Sequence, residues 1–442
     1  MHRLMRTGIA VVAALTAVAA PVGGRQAQAP AGLSAQERAM ADFVDANADQ
    51  AIALLERVVN INSGTQNLEG VRRVGDVFRA ELDGLGFQTE WVDGSSWGRA
   101  GHLVARHPAD GPKLLLIGHL DTVFEPDSPF QRFERVDANT AKGPGVIDMK
   151  GGDVIILQAL KALQSAGLLE AMNVTVVFTG DEEAPGRPLA RARAALVEAA
   201  KGAAAAIGFE DGDGHPDHGV IARRGTTSWR LTVTGTPGHS SQVFSEELGA
   251  GAIYEAARIL DAFRQRLAGE DHLTFNPGVI LGGTSMDFDA VQSRGEAFGK
   301  TNVIAERTLV AGDLRALSVE QFERAQQTMR EIVAASLPRT SAEIAFDEGY
   351  PPLAPTDGNR RLLSMLDQAS RDLGLNPVTA VDPDRAGAAD VSFVAGQVPM
   401  IIDAAGLKGT GGHTVDETAD LPVLAIQAKR AAVLLARLHA GG

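Results

Sequence analysis

Four unbroken apolar runs, each leading to a side chain able to hold a metal ion, constrain this chain more than any other feature. Lys113–Ile117 runs into Gly118-His119-Leu120-Asp121, Val174–Phe178 into Asp181-Glu182-Glu183, and Ala203–Phe209 into Glu210. Val398–Ile402 is followed by a glycine-rich stretch ending at His413. Apolar runs without alternation are expected of strands covered on both faces. Their alternation with helical stretches, such as Gly70–Gly86 and Gly152–Gln164, predicts an α/β layer with mostly parallel strands. Ligands bind such sheets beyond the carboxyl ends of the strands, so the four ends can converge on one site.

The character changes after Gly225. Trp229, Leu231 and Val233 alternate with Arg230, Thr232 and Thr234, the period-2 pattern of a half-exposed strand. A helix near 250–263 follows, then strands near Leu273–Leu281, Asn302–Ile304 and Thr308–Leu314, a helix at Val319–Ala335 and a strand at Ala342–Phe346. With the short Asn302–Ile304 piece set aside, this is the β-α-β-β-α-β order of the ferredoxin-like arrangement. A second domain, 225–347, is thus expected inside a first one made of 32–224 and 348–442. Asp211–His218 reads as the hinge into the insert, and Met286–Lys300 as a long loop within it.

Residues 1–31 have the layout of a secretory leader: Arg3 and Arg6, an apolar run from Gly8 to Ala20, then small residues. That run is too short for a stable helix across a bilayer core about 30 Å thick, so export is expected and stable membrane insertion is not. The net charge of -14 and the lack of a dense Lys/Arg cluster argue against nucleic acid as a partner. With no cysteine, thiolate nucleophiles and thiolate metal ligands are excluded, and any metal must be held by His, Asp and Glu.

His119 and Asp121 lie two apart on extended chain and share a face, so the carboxylate can take the second ring N–H of the imidazole and fix its tautomer. Asp148 precedes a helix, where a carboxylate either caps the helix or bridges two cations with its two oxygens. Of the adjacent Glu182 and Glu183, one can bind metal while the other moves a proton.

These residues resemble the M20 metallopeptidases, most closely their glutamate carboxypeptidase branch. The motifs are Gly118-His119-Leu120-Asp121, Gly145-Val-Ile-Asp148-Met-Lys-Gly-Gly152, Asp181-Glu182-Glu183, Phe209-Glu210 and Gly412-His413-Thr414. The resemblance implies a zinc-peptidase-type sheet flanked by helices, with an inserted lid and dimerisation domain. It implies two Zn2+ per subunit, one held by His119, Asp148 and Glu210, the other by Glu183, His413 and the second oxygen of Asp148, with Asp211 able to replace Glu210. Glu182 would be the general base, supported by Asp121, and Asp148-Met149 a cis peptide. In the insert, Gly235-Thr-Pro-Gly-His239-Ser-Ser matches the loop whose histidine reaches the partner subunit's site. Asn302 and Arg315, on adjoining strands, match the pair that grips a substrate carboxylate. Gly409 and Gly411, within Gly406–Gly412, would supply backbone N–H groups and room for substrate.

The implied activity is cleavage of an amide next to a free C-terminal carboxylate in a small peptide or N-acyl amino acid, by a homodimer in the periplasm or outside the cell. An N-acyl-amino-acid amidohydrolase or di/tripeptidase on the same metals is the alternative, and a noncatalytic exported binding protein a weaker one, since a binder has no use for Glu182. Three departures bear on substrate choice. Gly387-Ala388-Ala389-Asp390 lacks a hydroxyl that relatives carry, Tyr350-Pro351 stands where glutamate-specific relatives have a basic residue, and the insert is longer around Met286–Lys300.

Overall fold

The computed structural model describes residues 32–290 and 293–441; the expected leader, residues 1–31, lies outside the described residues. The first domain contributes β1 (Gln88–Asp93), β2 (Gly101–His107), β3 (Lys113–His119), β4 (Asn173–Thr179) and β5 (Ala203–Gly208). The insert contains β6 (Gly225–Gly235), β7 (Thr274–Gly283), β8 (Ser285–Asp289), β9 (Arg294–Phe298), β10 (Arg307–Ala316) and β11 (Thr340–Phe346). A short β12 (Ile401–Ile402) completes the first sheet, whose order is β1-β2-β4-β3-β5-β12. The pairs β4/β3, β3/β5 and β5/β12 are parallel and the β1/β2 and β2/β4 pairs antiparallel, so the sheet is mixed, with its parallel half under the site.

The absence of alternation in β3 has a direct cause. Leu114 and Leu116 enter one buried cluster with the helices, whereas Leu115 and Ile117 enter another on the opposite face. Successive side chains of a strand point to opposite faces, so a sheet covered twice needs apolar residues at every position. One face carries helices α1 (Ala35–Ala46), α2 (Ala48–Val59), α3 (Leu68–Gly84), α4 (Lys150–Ser165) and the C-terminal helix Leu421–His439. Among the described residues, no helix is long and apolar enough to cross a membrane.

The inserted sheet runs β7-β10-β6-β11, all antiparallel, and packs Trp229, Leu231 and Val233 against Ile259, Phe263, Met329 and Ile332 of its two helices, Ala252–Leu267 and Val319–Ala334. Four sequence expectations are corrected. Met286–Lys300 is largely a hairpin, β8 pairing β9 from Ser285↔Phe298 to Asp289↔Arg294, and its alternation of half-buried Met286 and Phe288 with Asp287 and Asp289 is a strand pattern. Asn302–Ile304 is not a strand; its one bridge joins Val303 to His239. The strand expected at Val398–Ile402 shrinks to two residues, because Pro399 has no N–H to donate and the N–H of Ile401 goes to Asn359 Oδ1 at 2.9 Å. The loop expected as a hinge, Asp211–His218, is instead a wall of the principal cleft through Asp211–Gly214, and the chain crosses between the sheets at the bridges Arg223↔Leu353 and Thr226↔Tyr350.

Candidate active site

The strand ends converge. His119, the last residue of β3, is 1% exposed, and its Nε2 lies 3.0 Å from Asp148 Oδ1 and 3.6 Å from Glu210 Oε1. The other oxygen of Asp148, Oδ2, is 2.9 Å from His413 Nε2, which is 3.2 Å from Glu183 Oε2. Ligand atoms of His119, Asp148 and Glu183 all fall within 4.8 Å of one another. Two atoms bound at about 2.0–2.1 Å to one tetrahedral ion stand about 3.3–3.4 Å apart, and the separations here, 2.9 to 3.6 Å, lie on either side of that spacing. Glu183 Oε1 is buried without a hydrogen-bond partner, as expected of a carboxylate whose second oxygen is meant for a cation. Imidazole and carboxylate donors at these separations fit divalent metal.

The scaffold behind these side chains explains their aim. Asp121 and Thr65 are buried, with Thr65 Oγ1 donating to Asp121 Oδ2 at 2.6 Å. Asp121 then accepts the backbone N–H groups of Glu182 at 3.0 Å and Glu183 at 3.1 Å, fixing the turn after β4. His119 Nδ1 is 3.1 Å from the backbone carbonyl of Asp121 and 3.5 Å from its Oδ1, so the nearest partner of the imidazole is the main chain and not the carboxylate expected from the sequence. Glu417, four residues after His413, accepts backbone N–H groups from Gly145, Ile147 and Asp148 at 3.2, 2.9 and 3.3 Å. It thereby holds the loop that presents Asp148, whose peptide bond to Met149 is cis. Gly152 lets the start of α4 approach β5; a Cβ there would lie 2.0 Å from the carbonyl oxygen of Phe209, the residue before Glu210.

The protein charges alone are strongly unbalanced. Burial works against charge on His119, but the field of Glu210 and the contacts with Asp121 and Asp148 outweigh it and hold the imidazole well above its usual range. Burial would raise Asp148 too, yet the hydrogen bonds from His119 and His413 keep it below the ordinary carboxylate range. Burial, reinforced by neighbouring carboxylates, pushes Glu182 and Glu210 well up and Glu183 up. Acids that repel one another around two imidazoles are the environment a cation relieves.

Glu182, Gly409 and Gly411 line the same cleft, of about 560 Å³, as do Asp148, Glu183, Glu210 and His413. His239, Asn302 and Arg315 do not line it. His239 is exposed with Nδ1 2.8 Å from Ser241 Oγ, the Asn302 carbonyl accepts the N–H of Ser240, and Arg315 Nε donates to Asp313. Sequence reasoning missed Thr65 and Glu417. The spacing of Glu417 from His413 was the available signal for the second; the first has none, being 56 residues from its partner.

The fold and the cluster of imidazole and carboxylate groups in its cleft are those of a metal-dependent hydrolase. Residues 115–437 match the family described as Peptidase family M20/M25/M40, and the chain belongs to this family of metallopeptidases. It is 27% identical over 412 residues to carboxypeptidase G2 of Pseudomonas sp. (strain RS-16), covering 92% of this chain and 94% of that one. Succinyl-diaminopimelate desuccinylase of Magnetococcus marinus is 25% identical over 420 residues, with 88% and 98% covered. In fold, aminopeptidase PepT of Bacillus cereus aligns with a TM-score of 0.70 at 18% identity, over 89% of this chain and 99% of that chain.

Proposed function

We propose that this chain is an exported hydrolase that holds two zinc ions per subunit and cleaves an amide bond next to a free C-terminal carboxylate. The observation that carries the reading is Asp148, with one oxygen toward His119 and the other toward His413, beside Glu182 in the same cleft. Cations held by His119, Asp148 and Glu210 and by Asp148, Glu183 and His413 would polarise the amide carbonyl and acidify water. Glu182 takes the proton from the attacking water and delivers it to the departing amine.

Arg315 has its Nε engaged by Asp313, and its terminal nitrogens make no hydrogen bond among the described residues, which leaves a fork for the substrate carboxylate, at the end of the inserted sheet away from Asn302 and His239. His239 of the partner subunit steadies the developing oxyanion, and Gly409 and Gly411 line the substrate path. Supporting a homodimer, the insert exposes Ile280 on its edge strand β7, Phe298 on the neighbouring hairpin, Ile253 and Tyr254 at the start of its first helix, and Phe244 in the preceding loop, its ring against Tyr254. Solvent exposure of that many large apolar side chains suits a surface covered by a second copy. Export rests on the leader pattern of residues 1–31.

A second reading, a di/tripeptidase or N-acyl-amino-acid amidohydrolase on the same metals, gains from Asp211. Its carboxylate lines the cleft and forms no ion pair among the described residues, so it favours a substrate bearing a free amino group. The test is a scan of the zinc-loaded protein with dipeptides, N-acyl amino acids and folyl-type substrates. Hydrolysis confined to substrates with a free carboxylate is the expected result; none with any of them contradicts the proposal. Asp211→Asn should slow dipeptides selectively if the peptidase reading holds.

A further inference from the structure

The segment that leaves the inserted sheet is fastened to the turn carrying Glu182. As it returns to the first domain, Tyr350 bridges Thr226, whose N–H donates to the Tyr350 carbonyl at 3.0 Å. The same strap meets residues 182–193 at several points. Tyr350 Oη donates to the main-chain carbonyl of Glu182 at 2.9 Å, the N–H of Leu189 donates to Glu348 Oε2 at 2.9 Å, and Arg187 Nη1 donates to the Glu348 carbonyl at 2.7 Å.

The direction of the tyrosine hydrogen bond is fixed by chemistry. Arg193 Nη2 lies 2.8 Å from the same hydroxyl, and a guanidinium can only donate, so the phenolic proton must go to the Glu182 carbonyl. Arg193 is itself locked by ion pairs to Asp181 at 2.6 Å and Asp390 at 2.7 Å, with all three side chains buried. The tyrosine ring packs against Phe393 at 4.8 Å between centroids. Glu182 is therefore pinned at both of its peptide groups, its N–H by Asp121 at 3.0 Å and its C=O by Tyr350. Asp121 comes from the turn just after β3, whereas Tyr350 comes from the exit of the insert.

We propose that Tyr350 is a positioning residue for Glu182, tying the inserted sheet to the base; the inference rests on the reading of Glu182 as the base. The test is a double-mutant cycle in the full-length zinc enzyme with Tyr350→Phe and Glu182→Gln, read as kcat and KM under single-turnover and steady-state conditions. A misaimed base should cost Tyr350→Phe about ten- to a hundredfold in kcat with KM within about twofold. In the Glu182→Gln background the same substitution should change the residual rate by less than about twofold. An equal loss in both backgrounds, a loss confined to KM, or no loss in the parent would overturn the assignment. Full turnover in Glu182→Gln alone would instead remove the base reading, a result distinguishable from the others because it needs no change at Tyr350. If Tyr350→Phe fails to fold, Glu348→Ala on the same strap carries the cycle, with a loss that disappears in the Glu182→Gln background expected and an equal loss in both backgrounds contradicting.

Discussion

Asp121 Oδ1 accepts the main-chain N–H of Glu182 at 3.0 Å while standing 3.5 Å from Nδ1 of His119. One buried carboxylate thus touches both His119 and the backbone of Glu182, the proposed ligand and the proposed base. Asp121→Asn offers a single acceptor oxygen where the carboxylate serves Thr65 and two backbone N–H groups. Zinc affinity should fall roughly 10–100-fold, the usual cost of losing a residue behind a ligand, and turnover should stay reduced at saturating zinc. Activity measured across buffered zinc concentrations separates the two effects.

Glu417 is fully buried and takes three backbone N–H groups from the loop of Asp148. Glu417→Ala strands those donors, each costing about 1–3 kcal/mol if water does not reach them. Thermal unfolding of chelated protein should show a Tm lower by several degrees, with weaker metal retention.

His413 is raised to about 11 because Asp148 and Glu183 accept from its ring, against the opposing effect of burial. The ordinary value is 6.5, so in chelated protein its stabilising contribution is complete below pH 6.5 and is lost as pH rises through 11. The stability difference between the parent and His413→Ala, measured by denaturant unfolding after chelation, should therefore shrink from pH 7 to pH 11. Zinc must displace that same proton, so its apparent affinity should rise with pH, by about tenfold per unit for each proton released. A flat affinity between pH 6 and 8 would contradict protonation of the site.

Much of the site was legible because its signal is local. A buried parallel strand needs apolar residues throughout, as Leu114–Ile117 show, and the side chains that meet at the site stand at or soon after the strand ends, His119 closing β3 and Glu183 and Glu210 following β4 and β5. Alternation in Ser285–Asp289 was equally local and could have revealed the β8/β9 hairpin. What the sequence hid are partners joined only by the fold. Thr65 and Asp121 are 56 residues apart, Tyr350 and Glu182 are 168 apart, and neither pair leaves a periodic trace. The segment Asn302–Ile304 is a loop because the pair Val303-Ile304 looks like a strand only until the backbone groups around it find other partners, here Ser240 and Gly238.

The exposed apolar band of the insert gives the dimer proposal a direct handle. Replacing Tyr254 and Phe298, 55% and 61% exposed, with aspartate should convert a dimer to monomer in sedimentation velocity. Loss of activity with retained zinc would accompany it if His239 acts across subunits. Unchanged mass would contradict an interface at this band.

The central claim is that five side chains hold metal while Glu182 remains free to move a proton. Glu182→Gln tests it most directly, with zinc per chain and turnover measured on one preparation. Zinc near two per chain with kcat lowered about 10²–10⁴-fold is expected. Turnover close to the parent, or zinc lost along with the carboxylate, would contradict it.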